Sequence, residues 1–284
     1  MKRSKIFILP ALLIYTVLLI MPIIGAFGIS FTNWNGISPN FKFVGIQNYL
    51  SMIKDERLHN AIIVTLTITV VVSVVVNVLG LFIASLLNRA KKYTNALRSV
   101  FFLPYVISTV AISFIWLSIL SYTGVLNSML DAIGLGNLVG DYIGNAKNAI
   151  ISICVIEIWR ILGFHMVLYL TALQTVPAEL YEACIVDGGS RWQKFRYVTL
   201  PMIIPGMTVS LIMSIMVEMK QYDMVKVITN GGPGYATETI TYSIVNQAFG
   251  TNQLGYSSAI AGFLFVVIAG FSIVQLKVSK KMEG

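Results

Sequence analysis

Glu157, Trp159 and Arg160 interrupt one long apolar stretch of this 284-residue chain, and Tyr222 and Asp223 stand where another ends. Glu157 and Arg160 are spaced i, i+3, which on a helix puts them on one face within reach of each other. A charge near the middle of a bilayer costs at least about 2.5–3.5 kcal/mol, so it normally faces a partner, a cavity or a pathway. Two readings follow: an ion pair that fixes helix packing, or the lining of a solute path. Trp159 offers a flat face to a sugar ring, or serves as packing or an interface anchor. Tyr222 and Asp223 belong to a polar group with Glu218, Lys220 and Gln221. That group is either the interfacial end of a helix or a polar and aromatic wall receiving solute. Hydroxyl partners together with an aromatic face suit a carbohydrate. His165, deeper in the first stretch, has no second histidine or acid beside it in sequence, which favours a hydrogen-bonded structural role over a proton relay.

A different chemistry belongs to Glu182–Pro201, a polar segment of twenty residues between two apolar runs. Pro177 followed by Glu179 and Glu182 predicts a helix entry with acid in its first turns, where carboxylates suit the positive end of the dipole. Asp187-Gly188-Gly189 predicts a break, because glycine reaches backbone angles that other residues hold only at a cost. Ser190 and Gln193 have the spacing of a capping box opening a second short helix. Pro201 and Pro205 close the segment. A glycine-hinged pair of helices on a membrane surface suits docking of another protein.

The elements that hold these residues are membrane spans. The chain is 56% hydrophobic and 11% charged, against roughly 25% charged in a soluble domain. Six apolar runs are long enough to cross about 30 Å of hydrocarbon: Ile6–Phe31, Ala61–Leu87, Ser99–Ser121, Ala149–Leu173, Met202–Met219 and Tyr256–Val278. The first follows Lys2, Arg3 and Lys5, but its length and lack of a small-residue cleavage site predict a retained span. With the N-terminus inside, and with Lys277 at the inner end of the last span counted to the tail, 13 of the 20 Lys and Arg residues fall on cytoplasmic pieces and 6 outside, Arg160 lying within a span. The excess of positive charge therefore puts both termini and Glu182–Pro201 in the cytoplasm. It also accounts for the net charge of +8 without nucleic acid, for which no basic stripe with interleaved aromatics is present. The expected domain is one transmembrane unit over residues 1–284, all α-helical, with three external loops at Thr32–Asn60, Tyr122–Asn148 and Lys220–Gly255.

Several chemistries are absent from the sequence. It has no HExxH, GxSxG or CxxC motif, no paired acids beside a nucleophile, and no phosphate-cradling GxxxxGK[ST]. No cofactor, metal or catalytic residue is expected. Cys154 and Cys184 are placed on opposite sides of the membrane, which excludes a bridge between them.

Glu182-Ala183-Cys184, Asp187-Gly188-Gly189, Phe195, Leu200-Pro201 and Pro205 resemble the EAA loop of ABC importer permeases. Ser30-Phe31-Thr32 with Trp34, Phe43-Val44-Gly45, Asn48-Tyr49, Phe102-Leu103-Pro104, Trp116, Gly124 and Asn127 resemble the carbohydrate-uptake branch, in its maltose-permease F-like half. So do Tyr222-Asp223, Thr229, Gly231-Gly232-Pro233, Thr237 and Ala248-Phe249. Two positions depart from the pattern: Cys184 stands for the usual second alanine, and Gly189 for the alanine after the loop glycine. No large external insert like that of the maltose subunit is present, and the short tail from Lys280 agrees with the F-like half.

The resemblance implies a type I ABC importer permease fold with six spans and a cytoplasmic coupling helix docked on a separate ATPase subunit. The docking residues would be Glu182, Ala183, Asp187, Gly188, Gly189 and Phe195. It implies as partners a second permease subunit, two ATPase subunits, an extracytoplasmic solute-binding protein and the lipid of a bacterial inner membrane. A stand-alone secondary carrier using Glu157, Arg160 and His165 is the alternative, and it would leave the glycine-hinged hairpin without a task.

Overall fold

The computed structural model describes residues 4–88 and 94–283. Lys2, Arg3, Arg89, Lys91, Lys92 and Gly284, used in the charge reading, lie outside the described residues, as do the side chains of Lys5, Lys280 and Lys281. Among the described residues there is no β-strand, and one antiparallel bridge joins Thr32 to Phe43.

The helices are α1 (Ile8–Ile29), α2 (Gln47–Lys54), α3 (Glu56–Leu87), α4 (Thr94–Val106), α5 (Thr109–Leu120), α6 (Val125–Ala132), α7 (Ala146–Gln174) and α8 (Ala178–Val186). They continue with α9 (Arg191–Met202), α10 (Ile204–Glu218), α11 (Asp223–Ile228), α12 (Ile240–Val245) and α13 (Leu254–Glu283). Five helical stretches are long and apolar enough to cross a membrane: α1, α3, α5 with α6, α7 and α13. A sixth arises where α9 is followed by Ile204–Ile228 across a bend of 67°. The cause of that bend is in the sequence. Pro205 has no N–H to give the carbonyl four residues back, so the ladder cannot continue through it.

The expected run Ser99–Ser121 is carried by two helices, α4 and α5, with Ile107 and Ser108 between them. Pro104 lies within α4. The expected loop Lys220–Gly255 carries structure of its own. Met224, Val225 and Ile228 share one face of α11 and are buried, as is Ile240 of α12.

Two compact units make up the chain: the described residues up to His59 with Ile240–Val267, and Asn60–Thr239 with the described residues from Ile268 onward. In the first unit a hydrogen-bonded knot fixes the loop after α1. The Asn48 side-chain amide donates to the carbonyls of Ser30 and Thr32 at 2.7 and 2.8 Å, and the Ser30 hydroxyl meets the Tyr49 hydroxyl at 2.8 Å. The Gly255 N–H then donates to the Trp34 carbonyl at 2.8 Å. A Cβ on Gly255 would lie 2.0 Å from the Thr32 carbonyl oxygen, so only glycine allows the approach.

In the second unit the core lies among α3, α7 and α10. Ala61, Val64, Ile68, Val72 and Val76 recur along the buried face of α3, while Ile63, Val70, Val74 and Val78 are exposed and apolar, as a helix facing lipid or a partner requires. Small residues set the crossings, the usual device where lipid removes the hydrophobic drive between helices. A Cβ on Gly163 of α7 would meet the Phe101 carbonyl oxygen at 1.9 Å, and one on Gly206 of α10 would meet the Ala172 Cβ at 2.5 Å.

Candidate solute pathway and docking hairpin

The two groups of functional candidates lie in different parts of the second unit. Pro177 opens α8, and Gly188 ends it in the left-handed region at φ +75. The Gly188 N–H reaches the Ile185 carbonyl at 3.0 Å and the Gly189 N–H reaches that of Cys184 at 2.8 Å, which closes the helix end. Ser190 and Gln193 form the full capping box: the Ser190 N–H donates to Gln193 Oε1 at 2.7 Å, and the Gln193 N–H to Ser190 Oγ at 3.3 Å. Glu182, Ala183, Asp187 and Gly188 are exposed on this hairpin, whereas Gly189 and Phe195 are half-buried.

Sequence reasoning missed the hairpin's apolar face. Val186 is 85% exposed and Trp192 69%, with the Trp192 ring 5.9 Å from that of Phe195. Large apolar side chains at the tip of a polar element mark a binding surface. Behind that tip the hairpin is tied down. Tyr181 and Thr199 share a hydroxyl contact of 3.2 Å. Tyr181 and Val198 pack against the buried cluster of Ala84, Leu87, Leu173, Val176 and Ile203.

The two departures from the EAA pattern touch each other. A Cβ on Gly189 would come 2.5 Å from Cys184 Sγ and 2.7 Å from the Cys184 carbonyl oxygen. The thiol therefore occupies the space an alanine at 189 would use, and the smaller residue at one position matches the larger at the other. Gly189→Ala should destabilise the hairpin, by about 1–3 kcal/mol as overpacking does. Adding Cys184→Ala should return part of that loss, since the carbonyl clash remains. Thermal unfolding of the four proteins in a double-mutant cycle measures the coupling, and additive losses would refute it.

The second group is brought together by α7 and the end of α10. Glu157 is wholly buried and takes both Arg160 Nε at 2.8 Å and Nη2 at 2.7 Å on Oε2. Its Oε1 accepts from the Gln221 side-chain amide, and the Gln221 carbonyl accepts from the Thr239 hydroxyl at 2.6 Å. The i, i+3 pairing read from the sequence is thus one half of a larger constellation. Trp159, on another face of α7, is 43% exposed and packs edge-on against Trp116 with ring centroids 5.7 Å apart. Tyr222 is half-buried and Asp223 exposed, so the five pathway candidates do not form one pocket in this conformation.

Glu218 is the residue the sequence underrated. It ends α10 with no exposure, within electrostatic reach of Glu157 and Arg160. Neither carboxylate oxygen has a hydrogen-bond partner among the described residues. Ser210, Ser214 and Glu218 stand four residues apart on α10, all buried, a signal available in the sequence.

They continue a polar seam toward the hairpin side. Asn77 of α3 accepts on Oδ1 from the Tyr169 and Ser210 hydroxyls, each at 2.7 Å, and donates to Ser214 Oγ at 3.1 Å. Ser210 spends its proton on Asn77, so at its 2.7 Å contact with His165 Nδ1 it must accept. This fixes His165 with its proton on Nδ1, in a packing role across three helices.

The description of binding-protein-dependent transport system inner membrane components matches residues 76–284. The multiple sugar-binding transport system permease protein MsmF of Streptococcus mutans is 34% identical, over 98% of this chain and 95% of its own length. The chain is one of these inner membrane components. A probable starch degradation products permease, AmyD of Thermoanaerobacterium thermosulfurigenes, is 33% identical over 98% of this permease and 94% of itself. The trehalose/maltose permease MalF of Thermococcus litoralis is 31% identical over the same shares. In fold, the permease superposes on a chain of a crystal structure of a bacterial ABC transporter that imports the acidic polysaccharide alginate. The TM-score is 0.86, with 23% identity, 99% of this permease and 96% of that chain covered. The all-helical ABC importer permease fold that the resemblance implies is the observed one, with five spans and a sixth where the bent pair is one. The chain is accordingly a multi-pass inner membrane protein.

Proposed function

We propose that this permease is one half of the translocation path of an ATP-driven importer for a sugar or oligosaccharide, with both termini and the α8–α9 hairpin in the cytoplasm. The observation that carries the proposal is the hairpin itself: a hinge at Gly188 with φ +75, a capping box immediately after it, and exposed apolar side chains at its tip. Nothing within a self-sufficient carrier needs such a surface. A groove on a separate ATPase subunit does. Glu182, Ala183, Asp187, Gly188, Gly189 and Phe195 are assigned to that contact, joined by Val186 and Trp192.

An ATPase can shift the permease between conformations only by binding them with different affinity. The packing of Tyr181 and Val198 against the ends of α3 and α7 supplies a mechanical link from hairpin to spans. Solute delivered by an extracytoplasmic binding protein would pass the Glu157–Arg160–Gln221–Glu218 constellation, with Trp159, Tyr222 and Asp223 lining the approach from outside. The second wall of the path belongs to a second permease subunit. A sugar is favoured by the names of the relatives and by the hydroxyl and carboxylate oxygens along the seam.

Purification of this chain from its own membrane in mild detergent, followed by mass spectrometry, tests the assembly. An ATPase and a second six-span chain should accompany it. Recovery of the chain alone, active in vesicles without ATP, would establish a secondary carrier instead.

A further inference from the structure

Four of the seven buried side-chain atoms left without a hydrogen-bond partner among the described residues are Thr69 Oγ1, Ser73 Oγ and the two oxygens of Glu218. Helix register puts them at one level. α3 and α10 run antiparallel, since Leu87 and Ile203 share the cluster at one end while Asn77 faces both Ser210 and Ser214 midway. Asn77 thus stands level with the middle of those two serines. Glu218 lies about 9 Å farther along by helix rise, and on α3 the same climb ends between Ser73 and Thr69. On α7, Glu157 stands about 12 Å from His165, whose partner Ser210 is the same distance from Glu218. The three helices therefore agree on a single level for the unpartnered oxygens.

Arg160 commits Nε and Nη2 to Glu157, and the pair is neutral. Glu218 sets a second carboxyl beside that pair, and Lys220, the nearest basic residue along the chain, is exposed. A ligand that brings one positive charge and several donors would hold Glu218 as a carboxylate and meet all four oxygens. A neutral sugar hydroxyl brings donors without the charge. A uronate brings a second negative charge. A quaternary ammonium brings charge without donors. A primary ammonium brings one positive charge and three N–H donors, and its bonds to a carboxylate are of the stronger, charge-assisted kind.

We propose that the solute passing this site carries a primary ammonium group, as an amino sugar does, and that Glu218 receives it with Ser73 and Thr69. The inference rests on the reading of this constellation as the solute path. Glu218 is occluded in this conformation, so the ammonium is met when alternation opens the seam.

The test uses the assembly purified with this chain, in lipid nanodiscs and without the binding protein, which makes a selection of its own. The probes are a β-1,4-linked glucosamine disaccharide, its di-N-acetylated counterpart, maltose, a galacturonic acid disaccharide and choline. Binding is followed by the shift in thermal unfolding midpoint with concentration. The amino disaccharide should half-saturate at a concentration at least about tenfold below that of its acetylated counterpart, a difference of ~1.4 kcal/mol. Choline and the galacturonic disaccharide should give no saturable shift. Glu218→Gln, which preserves shape, should bring the two glucosamine probes to similar half-saturation, and Ser73→Ala should weaken the preference. Size-exclusion yield of each variant shows that the assembly has formed.

Equal or tighter binding of maltose or the acetylated disaccharide, with Glu218→Gln silent, would overturn the amine inference and leave the sugar path standing. Absence of any sugar response in the parent assembly would remove both. Preference for the amino disaccharide that survives Glu218→Gln would place its receptor elsewhere and also overturn the assignment.

Discussion

Gly188→Val should leave the chain in the membrane and in its assembly while ATP hydrolysis no longer drives uptake. Gly188 sits at φ +75, and a Cβ there would meet nothing within 4 Å. Within this chain a Cβ at 188 clashes with nothing, so the effect on the hairpin's own shape is backbone strain. An L-residue in the left-handed region costs about 1–2 kcal/mol, and a β-branched one more. That strain shifts a local balance by roughly five- to thirtyfold, enough for the hairpin to abandon its turn and re-aim Glu182, Val186 and Trp192. Global stability should change little, since Tyr181 and Val198 still anchor the base of the hairpin. Gly188→Asn is the control, because asparagine tolerates left-handed angles, and uptake should be largely kept. Measuring ATP hydrolysis and solute uptake together in proteoliposomes separates the outcomes. Full uptake by the valine variant would remove the hairpin's turn from the coupling mechanism.

What the sequence made legible here was whatever depends on local chemistry. The Asp187-Gly188-Gly189 break and the Ser190–Gln193 box concern neighbours three residues apart, and both stand as read. The Glu157–Arg160 pair was legible for the same reason. Glu218 was harder. Its position at the end of an apolar run looks like an exposed helix terminus, and in the fold it lies buried within reach of Glu157 and Arg160 of α7, distant in sequence. The i, i+4 row of Ser210, Ser214 and Glu218 was the available signal, and it requires knowing which face of α10 points inward.

The Cys184–Gly189 exchange shows another limit. Two departures from a pattern can each be recognised as small residues, yet their compensation appears only when the turn is closed and Sγ lies over Gly189. The sequence marks Lys220–Gly255 only as an external loop. The short apolar face of α11 becomes a helix through burial, which a six-residue segment cannot signal by periodicity.

Arg160→Ala should be the most damaging single change in the chain. It leaves Glu157, with no exposure, supported by Gln221 alone and within reach of Glu218. Breaking a buried pair by removing one partner costs about 3–5 kcal/mol, whereas replacing both partners by neutral groups of similar volume is often close to neutral. Membrane yield and thermal stability should therefore collapse in Arg160→Ala and largely return in Glu157→Gln with Arg160→Gln. Arg160→Lys should fall between, since the two-point grip of Nε and Nη2 on Oε2 becomes a single contact. The paired variant then decides what the ion pair is for. If it folds and imports solute at the parent rate, the pair is packing, and the pathway role of Glu157 and Arg160 is withdrawn. If it folds and import is lost while ATP hydrolysis persists, the charges act on the solute. The two roles separate only in that background, because in either single variant the loss of the fold would hide the loss of transport.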